Sequence, residues 1–199
     1  MTTKVQKIQK TVIGAIIESH EAAFRASFGL ENIKLLQQMA EEISEAFKRG
    51  NKILLCGNGG SAADAQHIAA EFIGRFKKER KSLPAIALTT DTSILTALAN
   101  DYGYDSVFSR QVEGLGQKGD ILIALSTSGN SKNVIEAAQK AKDMGLSVFG
   151  FTGESGGELK KTVHFNFFAG AQKTPHVQEM HITALHAISE AVEDALFPA

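Results

Sequence analysis

The chain has 199 residues, of which 43% are hydrophobic and 22% charged, with a formal net charge of −1 and one cysteine. That length and composition allow one well-buried α/β domain, or two small ones at most. The near-zero charge excludes recruitment of nucleic acid or an anionic membrane by a global field, so any phosphate site must be local. Cys56 has no partner for an intramolecular disulfide, which suits a reducing compartment. The opening "MTTKVQKIQK" lacks the apolar core of a signal peptide, and no later run reaches membrane-spanning length. The expected location is cytoplasmic.

In chain order, residues 5–49 read as helix, with apolar positions recurring at Ile33, Leu36, Met39, Ile43 and Phe47 and a stop at Gly50. "KILLCG" (52–57) reads as a buried strand, and "SAADAQHIAAEFIGRF" (61–76) as a helix with Ser61 as N-cap. The unit then repeats. Strands are expected at 84–90, 120–126, 147–153 and 163–169, separated by helices at 93–101 and 132–145 and a short one in "ELKKT". A long helix over 174–197 closes the chain. Strands alternating with helices predict a doubly wound, mostly parallel sheet. The expected organisation is one domain over 1–199, an α/β core (51–199) behind helices (1–50) that offer an amphipathic assembly surface.

Two βα turns hold small polar residues, "GNGGS" (57–61) and "STSGNS" (126–131). At the carboxyl ends of parallel strands, glycines let backbone N–H groups approach an anion, and the helix N-terminus favours negative charge. Ser126, Thr127, Ser128 and Ser131 suit a phosphate monoester; the plain alternative is two polar turns. Gly57, Gly59 and Ala62 also fit a dinucleotide fingerprint. That reading needs an acidic residue about 20 positions on; Asp91 lies well beyond, and "STSGNS" would have no role.

The helix after "GNGGS" carries His67 and Glu71 on one face, able to share a metal or a substrate proton. A solvated i, i+4 pair is the alternative for these two alone. The last helix adds His176, Gln178, Glu179, His181 and His186, with His181 on a different flank from His186. A site built from His67, Glu71 and His186 plus Gln178 or Glu179 is expected. Helical spacing slightly prefers Glu179, and mixed N/O ligation suits Zn²⁺. His20 and His164 read as surface or strand residues without chemistry. The run "RFKKERK" (75–81) reads as a solvated loop, with Arg75 its one candidate for substrate contact. Phe165 to Phe168 and Cys56 read as packing.

Together, "CGNGGSAADAQHIAAEF", "TALANDYGYDSVFSRQVE", "GDILIALSTSGNSKNVIEAA", "FTGESGGEL" and "VQEMHITALH" closely resemble the sugar isomerase (SIS) fold, and within it the phosphoheptose isomerases. The resemblance covers nearly the whole chain. It implies a flavodoxin-like three-layer αβα sandwich, a homotetramer with sites at subunit interfaces, and conversion of sedoheptulose 7-phosphate to D-glycero-D-manno-heptose 7-phosphate on the way to lipopolysaccharide. It implies one Zn²⁺ per subunit on His67, Glu71, Gln178 and His186, against the faint geometric preference for Glu179. Sugar-phosphate contacts would come from Asn58, Gly59, Gly60, Glu71, Asn100, Asp101, Ser126, Thr127, Ser128, Ser131 and Gln178, with Glu71 and His186 catalytic. Where some isomerases have an Asp shortly before the Gln, this chain has Pro175, so no role transfers there. The fold also includes a non-enzymatic tetrameric adaptor that binds the replication initiator DnaA and resembles the C-terminal "VQEMH…LF". That relative lacks counterparts of Glu71 and His186, and both are present here.

Overall fold

The computed structural model describes residues 11–198; residues 5–10 of the expected N-terminal helix lie outside the described residues. The expected single helix is two, α1 (Val12–Ser27) and α2 (Leu30–Lys48), separated at Phe28–Gly29. Thr11 caps α1 by accepting from the Gly14 amide. Gly50, at φ +84, then turns the chain into the first strand.

The remaining elements are β1 (Ile53–Cys56), α3 (Gly60–Ile73), β2 (Ala85–Ala87), α4 (Thr92–Tyr102), α5 (Ser109–Leu115), β3 (Ile121–Ser126), α6 (Lys132–Asp143), β4 (Ser147–Thr152), β5 (Phe165–Phe168) and α7 (Thr174–Leu196). Short 3₁₀ turns lie at Tyr104–Ser106 and Leu159–Lys161. Helix α5, which the sequence pattern did not indicate, has only seven residues, too few for a helical repeat to emerge.

All five strands pair in parallel in the order β2-β1-β3-β4-β5. This is the flavodoxin-like order, and it makes a three-layer sandwich because strand residues alternate between faces. Ile53, Leu55, Ile123, Phe149, Phe151 and Phe167 point to the face covered by α2, α3 and α7. Leu54, Cys56, Leu122, Ala124 and Val148 point to the other face, under α5 and α6. Met39 and Ile43 of α2 are fully buried in the first core, so α2 is a layer of the sandwich. In contrast, α1 buries only Ala23 and Ser27. Of the final aromatic run, Phe167 is core and Phe168 is exposed. Cys56 is packing, as expected, with its thiol pushed up to about 12 by burial. Among the described residues, no helix is long and apolar enough to cross a membrane.

Candidate functional site

The strand order reverses between β1 and β3, and the turns that follow them both open at their carboxyl ends, where a crevice forms. The first turn needs its glycines. A Cβ at Gly57 would lie 2.8 Å from the Ser61 carbonyl, and Gly59 sits at φ +55. That conformation makes Gly59 the residue preceding α3, so Ser61 lies inside the first turn and is not the expected N-cap. No side chain caps α3.

Asn58 projects across the crevice and exchanges two hydrogen bonds with Asn133 of α6, each at 2.9 Å. The two turns are thereby tied side by side. Tyr104, whose role was not legible in the sequence, also donates to Asn58 Oδ1, at 3.4 Å. Asn100 donates to Asp101 at 2.8 Å, and both are exposed at the end of α4, just before this Tyr104 turn.

In the second turn, Ser126 is buried and its hydroxyl pairs with that of Ser131 at 2.9 Å. Ser128 Oγ accepts from the Asn130 amide. Gly129, at φ +68, packs directly on the Gly156–Gly157 backbone, and its carbonyl accepts from Leu159 N at 2.9 Å. The "TGESGGEL" segment therefore braces the serine loop. A cavity of about 530 Å³ opens there, lined by Thr127, Ser128, Gly153, Glu154 and Ala171 among others.

Helices α3 and α7 bring together three of the four residues expected to bind metal. His67, Glu71 and His186 each place a ligand atom within 4.8 Å of the other two. His67 Nε2 and Glu71 Oε1 are 3.1 Å apart. The His67 and His186 rings meet edge to face at 4.9 Å, and Phe76 lies against His186 at 5.6 Å. Burial lowers the His186 pKa, His67 adds to the fall, and Glu71 opposes it. Two imidazoles and a carboxylate that converge this closely suit a divalent transition-metal ion.

Gln178 and Glu179, left open by spacing, part company. The Gln178 amide lies directly against Gly60 at the start of α3, where a Cβ would overlap it. Glu179 turns towards α1 and pairs with His20 at 2.6 Å and His176 at 3.1 Å. Glu179 and His186 share an angular position but are two turns apart, so eclipsed spacing did not bring them together. His20 is not a residue without an acidic neighbour, as its sequence surroundings suggest. His181 is fully buried, its Nε2 3.1 Å from the Thr152 carbonyl and its pKa pushed down to about 4 by burial. It packs.

Two further residues were missed. Asp64, one turn before His67, has a buried carboxylate oxygen without a hydrogen-bond partner, and burial pushes its pKa up to about 6 against the pull of His67. The basic run 75–81 is not merely a solvated loop. Glu193 accepts from the amides of Phe76, Lys77 and Lys78 and from Arg80 Nε. Arg75 is exposed, 3.7 Å from Glu79. His164 is exposed, and its Nδ1 accepts from the Val148 amide.

Comparison with known proteins agrees with this architecture. The SIS domain family model matches residues 22–153. The phosphoheptose isomerase of Campylobacter concisus is 51% identical over 186 residues, spanning 94% of this chain and 97% of the relative. Among solved structures, the phosphoheptose isomerase of Neisseria gonorrhoeae superposes with a TM-score of 0.82 at 41% identity, covering 92% of this chain and all of that one. That of Francisella tularensis gives 0.85 at 32% identity, covering 97% of this chain and all of that one. The chain belongs to the SIS-domain family, alongside relatives named phosphoheptose isomerases.

Proposed function

We infer that the chain is an aldose–ketose isomerase that converts sedoheptulose 7-phosphate to D-glycero-D-manno-heptose 7-phosphate, a precursor of lipopolysaccharide heptose. The observation that carries this reading is the convergence of His67, Glu71 and His186 from helices distant in sequence. A DnaA-binding adaptor has no use for such a set.

The reaction moves hydrogen between neighbouring carbons through an enediol, and it needs a base, an acid and a fixed substrate. Glu71 takes the proton from C1 while His186 gives one to the carbonyl oxygen at C2. The enediol then collapses: a proton returns to C2, the C1 hydroxyl returns its own to His186, and C1 becomes the carbonyl carbon. Ser126, Thr127, Ser128 and Ser131 hold the phosphate, so binding energy far from the reacting carbons orients them. Asn58, Gly59, Gly60, Asn100 and Asp101 align the sugar. The residues to hold a metal are His67, Glu71, Gln178 and His186, with Zn²⁺ the expected ion, one per subunit. Bound there, it would polarise the substrate carbonyl and stabilise the developing oxyanion.

We also propose that the chain works as a homotetramer with sites at subunit interfaces. Supporting this, Val12 and Ile13 of α1 are 78% and 73% exposed, Ile16, Ile17 and Phe24 extend the apolar stripe, and α4 buries no residue. Light scattering should return four times the chain mass; a monomer refutes it.

The decisive experiment incubates metal-loaded protein with sedoheptulose 7-phosphate in D₂O and follows product by NMR. Heptose 7-phosphate with deuterium at C2 supports the reading. Binding without conversion would mean a sensor or another sugar, and neither binding nor conversion would point to the adaptor.

A further inference from the structure

The chain holds a second cluster of the same donor type. His20 on α1 and His176 and Glu179 on α7 place one ligand atom each within 4.8 Å of the other two. Nδ1 of His20 and Nδ1 of His176 both address the same Glu179 oxygen, at 2.6 and 3.1 Å, and the two rings meet edge to face at 5.9 Å. His176 and Glu179 are one helical turn apart, so α7 presents them together, and α1 supplies the third donor from the opposite side.

We propose that His20, His176 and Glu179 form a second divalent transition-metal site, taking Zn²⁺ or a similar ion, that staples α1 to the start of α7. Zinc–nitrogen and zinc–oxygen bonds of about 2 Å place tetrahedral donors roughly 3.3 Å apart, so the three donors need only small rotations to enclose an ion. The wall is built and the entrance is open. His176 is 5% exposed, whereas the side chains of His20 and Glu179 are 37% and 49% exposed, which leaves a coordination position facing solvent. A groove of about 390 Å³ between α1 and the loop leading into α7, lined in part by Ser19, Ala23 and His176, opens beside the His176 donor.

The fold has use for such a staple. Helix α1 buries only two of its sixteen residues, Ala23 and Ser27, both in its C-terminal half. Ser27 Oγ accepts from Gly170 N at 2.8 Å, and Phe28, just after the helix, packs on Phe167 at 5.7 Å. The exposed residues Val12, Ile13, Ile16 and Ile17 precede His20, whose ring reaches Glu179 of α7. An ion bound to the folded chain and not to the unfolded one stabilises that docking by mass action.

The test separates the two clusters and does not depend on the isomerase reading. The full chain carrying H67A and E71Q leaves the first cluster only His186 and Gln178 while keeping all three α1–α7 donors, and Co²⁺ is the probe. The expected result is one Co²⁺ per chain with d–d absorption, lost when H20Q is added and lost again with H176Q as an independent second variant. Amides of α1 should exchange with solvent at least tenfold more slowly when Co²⁺ is bound, and H20Q should remove that protection. A background chain that binds no Co²⁺, binding that survives both H20Q and H176Q, or unchanged α1 exchange each overturns the proposal. In the otherwise wild-type chain, H20Q should leave turnover unchanged while lowering the metal content by one equivalent.

Discussion

Arg80 and Glu193 form an ion pair at 2.8 Å with both side chains almost fully buried, at 1% and 2% exposure. Glu193 also accepts three backbone amides from the same loop, and Arg80 donates to the carbonyls of Glu71 and Phe72. The pair therefore clamps the chain leaving α3 onto α7, and in doing so holds Phe76 against His186. Removing one partner of a buried pair leaves an uncompensated charge, a loss of about 3–5 kcal/mol. E193A should show that loss in chemical denaturation and lose turnover as Phe76 leaves His186. An unchanged denaturation midpoint would rule the clamp out.

The same carboxylate makes an acid-stability prediction. Burial alone would raise the Glu193 pKa, but the three amides and Arg80 outweigh it and hold it down at about 2, against 4.5 unperturbed. A depressed folded-state pKa contributes stability above the unfolded value that is lost as pH falls towards the folded one. Unfolding free energy should thus decline between pH 4.5 and 2, and E193Q should flatten part of that slope. Equal slopes in the two proteins would contradict the assignment.

Asn133 lies outside the His67–Glu71–His186 cluster, yet it aligns the two crevice turns through Asn58. Each neutral hydrogen bond is worth about 0.5–1.5 kcal/mol. N133A should therefore raise KM roughly tenfold, with kcat less affected, because the Asn58 loop loses its register against the serine loop. A KM within twofold of wild type would show that the pair only packs.

Gly60 offers a clean test of Gln178. Its backbone is not left-handed, so alanine is conformationally allowed there, but the new Cβ would displace the Gln178 amide. G60A should lower metal affinity and turnover by about 10–100-fold, the range seen when a ligand's support is lost. Thermal stability should change little. Wild-type metal affinity in G60A would remove Gln178 from the ligand set.

Chelation and E71Q address the chemistry itself. Prolonged chelator treatment should abolish isomerisation, and Zn²⁺ should restore it. E71Q should lower turnover by at least the about 10²–10⁴-fold that a positioned acid–base group contributes. Phosphate-sugar binding, followed by calorimetry, should be largely retained. Near-normal turnover in E71Q would refute the base assignment.

The period change from helix to strand, the glycine-serine turns and the His67–Glu71 spacing are local properties of the chain. They were therefore legible in the amino-acid sequence, and with them the parallel α/β architecture and both halves of the crevice. The break of the first helix at Phe28–Gly29 was less so, because a glycine with helical residues on either side marks a break only weakly. The side to which Glu179 turns, the Asn58–Asn133 bridge, the burial of Glu193 by a basic loop and the unpartnered oxygen of Asp64 were decided by tertiary structure alone. Each depends on the distance between elements far apart in sequence. Helical spacing assigns a residue an angle about its axis, while the packing of α1 and α3 on α7 assigns it a neighbour. Angle placed Glu179 with His186; packing placed it with His20.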